Sequence, residues 1–322
     1  MKKLMVILLA AAMVFALSGC FGSGEETSSG TGSNQTSSAG SSTPSVSSMP
    51  DSSSMPNTSS TISDGTSSAM SDEMTNVISS DATPTVTPSF TDLAELPNES
   101  IVWGPGKTTD EKRPSAPVQL QAAHGDRGAV FLGPDEKKIY LTFDEGYENG
   151  FTPAILDTLK EKNVTAMFFV TGSFAKQNPE LIRRIIEEGH VLGNHSWNHP
   201  QMETVSVEKG AEEITKLHDL IYNEYQYTMK YFRPPTGTFS QRTLALTQSL
   251  GYKSVFWSFA YKDWDPANQP DEDYALEKCL SSTHPGAVFL LHAVSSTNTH
   301  ILGDFIDGAR QKGYEFADPN LL

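Results

Sequence analysis

From about Lys137 onward, short β-rich apolar runs alternate with longer stretches in which apolar residues recur every three to four positions. The runs predict strands over Lys138–Phe143, Thr165–Val170, His190–Asn194, Tyr231–Pro234, Ser254–Ser258 and Ala287–His292, with a short one near Tyr314–Ala317. The helical period predicts helices such as Pro179–Glu188, Val207–Tyr225, Gln241–Leu250, Glu272–Ser281 and Ile301–Lys312 between them. Met167-Phe168-Phe169-Val170 and Ala287-Val288-Phe289-Leu290-Leu291 are apolar without a break. That suits parallel strands covered on both faces rather than a sheet with one wet side. About seven strand–helix repeats predict an α/β barrel or a doubly wound sheet, and either architecture places function at the C-terminal ends of the strands.

The chain ahead of this pattern reads differently. Leu4 to Leu17 is a continuous apolar or small run behind Lys2 and Lys3, too short to span a bilayer comfortably. Residues 1–20 therefore read as an export signal. Residues 21–90 hold 34 Ser or Thr, and no Lys or Arg occurs from 21 to 100. So little apolar content cannot offset chain entropy, and residues 21–95 are expected to form a disordered linker. Residues 96–127 then read as an N-terminal extension of a folded domain over 128–322.

Charge narrows the partners. Of the net −16, the ten acidic residues of 21–100 carry −10, and residues 101–322 hold 21 basic against 29 acidic side chains. A mildly acidic domain without a basic block excludes a general nucleic-acid binder. Of two cysteines, Cys20 ends the apolar run, so Cys279 is the only thiol left and the domain core has no internal disulfide.

The polar residues at the predicted strand ends carry the candidate chemistry. Asp144 and Glu145 end the first strand, His195 the third, Arg233 the fourth and His292 the sixth, while Asp263 follows the fifth. His195 and His199 are four residues apart, and a helical turn would aim both rings at one point, as a divalent ion requires. Adjacent carboxylates repel each other unless a cation or proton intervenes, so either of Asp144 and Glu145 could ligate a metal while the other serves as base. Arg233-Pro234-Pro235-Thr236-Gly237 is a rigid turn headed by a guanidinium, and Asp263 sits beside Trp257 and Trp264 as at a sugar-binding rim. His124, His190, His218, His284 and His300 are expected to be structural.

These segments resemble, in order and spacing, the motifs of the polysaccharide deacetylase family, the NodB-like carbohydrate esterases. The resemblance spans about Gly128 to Leu322. Thr142-Phe-Asp-Glu-Gly-Tyr-Glu-Asn-Gly150, Trp103-Gly and Phe131-Leu-Gly look like the branch of delta-lactam-biosynthetic de-N-acetylases, which act on N-acetylmuramic acid in spore peptidoglycan. The resemblance implies a distorted (β/α)7 barrel and a divalent metal, most often Zn2+, with Co2+ or Mn2+ as alternatives. It implies Asp144 as general base, and Glu145, His195 and His199 as metal ligands. Glu145 stands where the family usually has Asp, which implies a loosely held ion. It further implies that Arg233 orients Asp144, Asp263 holds Arg233, and His292 protonates the leaving amine. Leu290 would line an acetyl pocket, Trp264 a sugar groove, and the Thr236 backbone N–H would face the oxyanion. An O-acetyl esterase and a catalytically degenerate glycan-binding module are the alternatives.

Leu17-Ser18-Gly19-Cys20 resembles the lipobox of bacterial lipoproteins. That implies acylation of Cys20 and a lipid anchor on the extracytoplasmic face of the bacterial membrane. The partners expected are peptidoglycan or another N-acetylated glycan and the membrane, with the protein a monomer.

Overall fold

Eight strands, all pairing in parallel, form the centre of the domain in a computed structural model that describes residues 88–322. They are β1 (Ala129–Val130), β2 (Lys138–Glu145), β3 (Ala166–Val170), β4 (Val191–Asn194), β5 (Tyr231–Phe232), β6 (Lys253–Val255), β7 (Ala287–His292) and β8 (Glu315–Phe316). The order across the sheet is β1-β6-β5-β4-β3-β2-β7, and β8 pairs with the start of β2. The chain beyond β6 then meets β7 through a parallel bridge between Phe259 and Phe289. That contact closes the curled sheet into an irregular barrel, as the repeat count and the resemblance imply.

Strand alternation sorts the side chains into two layers. Tyr140, Met167, Phe169, Val191, Tyr231, Val255 and Val288 pack together inside the barrel, with Leu322 against them. Ile139, Leu141, Phe143, Phe168, Val170 and Leu192 face outward, where residues of the helices Thr152–Glu161, Pro179–Glu187, Val207–Tyr225 and Ser296–Gln311 cover them. Two-sided burial explains why β3 and β7 are apolar without a break. Gly193 faces the interior, and a side chain there would run into the Phe169 ring.

Several boundaries shift from the sequence expectations. The last helix begins at Ser296, capped by the Ser295 side chain, which accepts from Asn298 N. Periodicity starts only at Ile301 because Thr297 and Asn298 are polar yet buried. β1 is too short to leave a period. The end of the expected linker is folded: Ser89 caps a one-turn helix, Phe90–Ala94, whose Leu93 is buried against Val207, Ala211 and Leu246. Residues 1–20, Cys20 and most of the linker lie outside the described residues, and among the described residues no helix is long and apolar enough to cross a membrane.

Candidate active site

The interior line of β2 runs Tyr140, Thr142, Asp144, and it delivers Asp144 to the C-terminal mouth of the barrel. Arg233, just past β5, meets it there. Its Nη1 donates to Asp144 Oδ1 at 2.7 Å, Nη2 donates to Thr142 Oγ1 and the Phe256 carbonyl, and Nε donates to the Val255 carbonyl. The guanidinium is fully buried and lies 4.2 Å from the centre of the Phe169 ring. A buried cation requires this degree of satisfaction. Burial by itself would raise the Asp144 pKa, but the Arg233 charge, aided by His195 and His292, holds it below the usual carboxylate value. Asp144 is therefore ionised and fixed in orientation.

The two histidines converge, though not on a helix. His195 follows β4 directly, and the chain then turns back through left-handed backbone at Ser196 (φ 66°) and His199 (φ 59°). Glu213, buried on the helix Val207–Tyr225, accepts from the Asn198 backbone N at 2.7 Å and from its side chain at 2.8 Å. His195 Nδ1–H donates to the Arg233 carbonyl at 2.8 Å, leaving its Nε2 lone pair to face the cavity. His199 Nε2 lies 3.2 Å from that atom, and Asp144 Oδ2 lies 3.5 Å from it. Burial lowers both imidazole pKa values, that of His195 to about 4, so both rings are neutral near pH 7.

This pair fits a zinc-like ion. Two nitrogens bonded to a tetrahedral zinc at about 2.0–2.1 Å stand roughly 3.3 Å apart. Glu145 is not brought to the pair. It continues the outward line of Ile139, Leu141 and Phe143, and its carboxylate lies 3.4–3.5 Å from Thr152 Oγ1 with Glu148 beside it. Among the described residues no three His, Cys, Asp or Glu side chains group as a metal site. The geometry thus departs from the three-ligand expectation because neighbours on a strand face opposite ways.

A second correction concerns Asp263. It does not touch Arg233. Its Oδ1 accepts from His292 Nδ1 at 2.8 Å and its Oδ2 from the His292 backbone N at 2.9 Å. Asn298 Nδ2 donates to the same Oδ2 at 2.6 Å, and Tyr261 OH donates to Asn298 Oδ1. Burial alone would lower the His292 pKa, but Asp263, and more weakly Asp144, raise it above the ordinary value. His292 is thereby poised as an acid beside Asp144, its register partner on the neighbouring strand β2.

The cavity itself has a volume of about 680 Å³. Asp144, His195, His199 and His292 line it, as do Thr236, Leu290 and a half-exposed Trp264, so the expected substrate-facing residues share one space. The sequence assigned no role to Glu213, Asn298, Tyr261 or Trp103, which hold the site from behind. Glu213 and Asn298 left one sequence signal, a polar residue on the apolar face of a helix.

A parallel barrel whose mouth gathers a fixed carboxylate, a histidine paired to a second carboxylate and two neutral imidazoles is built for hydrolysis by general acid–base catalysis. The family profile for polysaccharide deacetylase matches residues 132–255. Peptidoglycan-N-acetylmuramic acid deacetylase PdaA of Bacillus subtilis is 43% identical over 223 residues, which cover 69% of this chain and 85% of that protein. Its solved structure, described as a family 4 carbohydrate esterase, matches with a TM-score of 0.66 over 69% of this chain and 95% of that one. Peptidoglycan-N-acetylglucosamine deacetylase PgdA of Listeria monocytogenes is 36% identical over 180 residues, covering 56% of this chain and 37% of that protein. The chain belongs to the polysaccharide deacetylase family.

Proposed function

We propose that the protein removes acetyl groups from the N-acetylated sugars of peptidoglycan, with N-acetylmuramic acid as its substrate. The observation that carries this reading is that Asp144, ionised by Arg233, and His292, paired with Asp263, stand side by side in a cavity also lined by Leu290 and Trp264. The likeness to PdaA over most of that protein favours muramic acid over glucosamine.

Asp144 accepts the proton of a water that attacks the acetamide carbonyl carbon. Thr236 presents its backbone N–H to the oxygen that becomes negative. His292 Nε2 then gives its proton to the departing nitrogen as the C–N bond breaks, leaving acetate and a free sugar amine. Asp263 keeps the other ring nitrogen protonated and the ring in place. Leu290 packs against the acetyl methyl, and Trp264 against a sugar ring. His195 and His199 would hold a divalent ion, Zn2+ by ligand chemistry, which supplies Lewis acidity toward the attacking water and the carbonyl oxygen.

The reading extends to the cell. The Leu-Ser-Gly-Cys junction supports lipid attachment at Cys20, which would place this domain, as a monomer on a Ser/Thr-rich tether, at the outer face of the membrane; the resemblance of Thr142–Gly150 to the delta-lactam-biosynthetic branch supports a role in sporulation. Purified protein incubated with peptidoglycan fragments should release acetate and leave free amine on muramic acid. Amine on glucosamine alone would overturn the muramic assignment. Release of acetate only from O-acetylated glycan would make it an esterase. Cys20→Ala should move the protein from the membrane to the soluble fraction, and an unchanged distribution would rule out this anchor.

A further inference from the structure

The segment Asn98–Pro105 precedes the family match, yet it is built into the mouth of the barrel. Ser240 Oγ donates to Asn98 Oδ1 at 2.8 Å, and Ile101 N donates to the Phe239 carbonyl at 2.7 Å. Trp103 inserts its ring beside Phe131, Phe256 and Trp257, with centroids 5.1, 5.9 and 5.1 Å away. Pro105 then reaches the wall of the cavity.

Trp103 ends on the turn that carries the oxyanion donor. Its indole Nε1 donates to the Gly237 carbonyl at 2.8 Å. The turn is held under constraint. Thr236 sits at φ 62°, where a branched side chain is disfavoured, and Gly237 at φ 75° packs so closely on the Trp257 ring that a Cβ would lie 2.2 Å from it. Gly237 N is committed to the Pro234 carbonyl. The Thr236 N–H has no hydrogen-bond partner among the described residues, and Thr236 faces the cavity. Thr236 and Gly237 are successive left-handed residues, and the Trp103 hydrogen bond fixes the carbonyl at the end of that turn.

We propose that Trp103 is a positioning residue for catalysis: by anchoring the Gly237 carbonyl it fixes the Pro235–Gly237 turn so that the Thr236 N–H meets the developing oxyanion. The N-terminal extension is then part of the active site. The proposal rests on the deacetylase reading above. An oxyanion donor acts on the transition state more than on bound substrate, so its misplacement lowers kcat and spares KM.

The test removes the donor while keeping the ring. Replacing Trp103 site-specifically with β-(3-benzothienyl)alanine exchanges the indole N–H for sulfur at nearly constant shape, and Trp103→Phe is the ordinary counterpart. Deleting an oxyanion donor outright costs about 10²–10³ in kcat, so displacing one should cost about tenfold or more. The expected result for the benzothienyl protein is that loss in kcat, with KM within about twofold and an unchanged pH optimum. Wild-type kcat in the benzothienyl protein would overturn the proposal, as would a fall in kcat/KM carried by KM alone. A wild-type protein that releases no acetate would instead overturn the deacetylase reading itself, so the two failures are distinguishable.

Discussion

Replacing Glu145 with Gln should stabilise the folded protein at neutral and alkaline pH while leaving metal affinity unchanged. Glu145 is fully buried, and its pKa is raised well above 4.5 by burial first and by the neighbouring Glu148 second, with Asp144 adding a little and the Thr152 hydroxyl opposing. Thr152 Oγ1 has a single proton to give, and both Glu145 and Glu148 compete for it. One carboxyl must therefore carry a proton of its own or remain unsatisfied. Between the ordinary value of 4.5 and the raised one, the unfolded chain has released the Glu145 proton and the folded chain has kept it. Stability then falls as pH rises through that window, by about 1.4 kcal/mol per pH unit. Glutamine is isosteric, offers a permanent N–H and never ionises, so the variant should lose this slope. Urea unfolding of both proteins from pH 4.5 to 8.5 measures it. Calorimetric titration of zinc into the metal-stripped proteins should give equal affinities. Parallel stability curves, or an affinity lowered tenfold or more in Glu145→Gln, would refute the placement of Glu145 outside the histidine site.

The Glu145 case also shows where the sequence was readable and where it was not. The strands β2, β3 and β7 were legible because two-sided burial leaves an unbroken apolar run, and the polar residues at their ends marked the mouth of the barrel. Asp144, His195, Arg233 and His292 were found this way and His199 by its spacing from His195, and the structure gathers all five. The partnerships among them were less legible. Motif order says nothing about which face of a strand a residue takes, so Glu145 read as a ligand beside Asp144 although the pleat sends it to the helix layer. Asp263 read as a partner of Arg233, but the closing bridge between Phe259 and Phe289 brings the chain after β6 alongside β7, next to His292. Such long-range closures leave no local trace. Nor does support from behind: Glu213 entered no motif and Trp103 carried no assigned role, because each acts through hydrogen bonds to a distant turn.

Asp144→Asn should lower kcat by about 10²–10⁴, the typical cost of a missing base. It should also destabilise the fold by up to about 3–5 kcal/mol, because it leaves the buried Arg233 without its carboxylate; acetate release and urea midpoints measure the two effects, and wild-type turnover excludes Asp144 as the base. His190 is buried with a pKa lowered by burial to about 4 and its Nε2 without a partner, so it folds neutral. Its contribution is complete above pH 6.5 and is lost as pH falls toward 4, which at about 1.4 kcal/mol per tenfold change amounts to about 3 kcal/mol; a His190→Asn protein should show a flatter decline of melting temperature over that range. The last prediction concerns Asp263→Asn. Its two carboxylate oxygens accept from three donors, His292 Nδ1, His292 N and Asn298 Nδ2. An amide offers one acceptor, so one face must set an N–H against an N–H, and the charge that raises the His292 pKa is gone. His292 works as the acid, and activity is lost as pH rises through its pKa. Lowering that pKa must therefore move the alkaline limb of the kcat profile to lower pH, with a smaller maximum, while the acidic limb set by Asp144 stays where Arg233 holds it. Acetate release measured from pH 5 to 10 decides the matter, and an alkaline limb that does not move would show that the proton given to the sugar amine comes from a group other than His292.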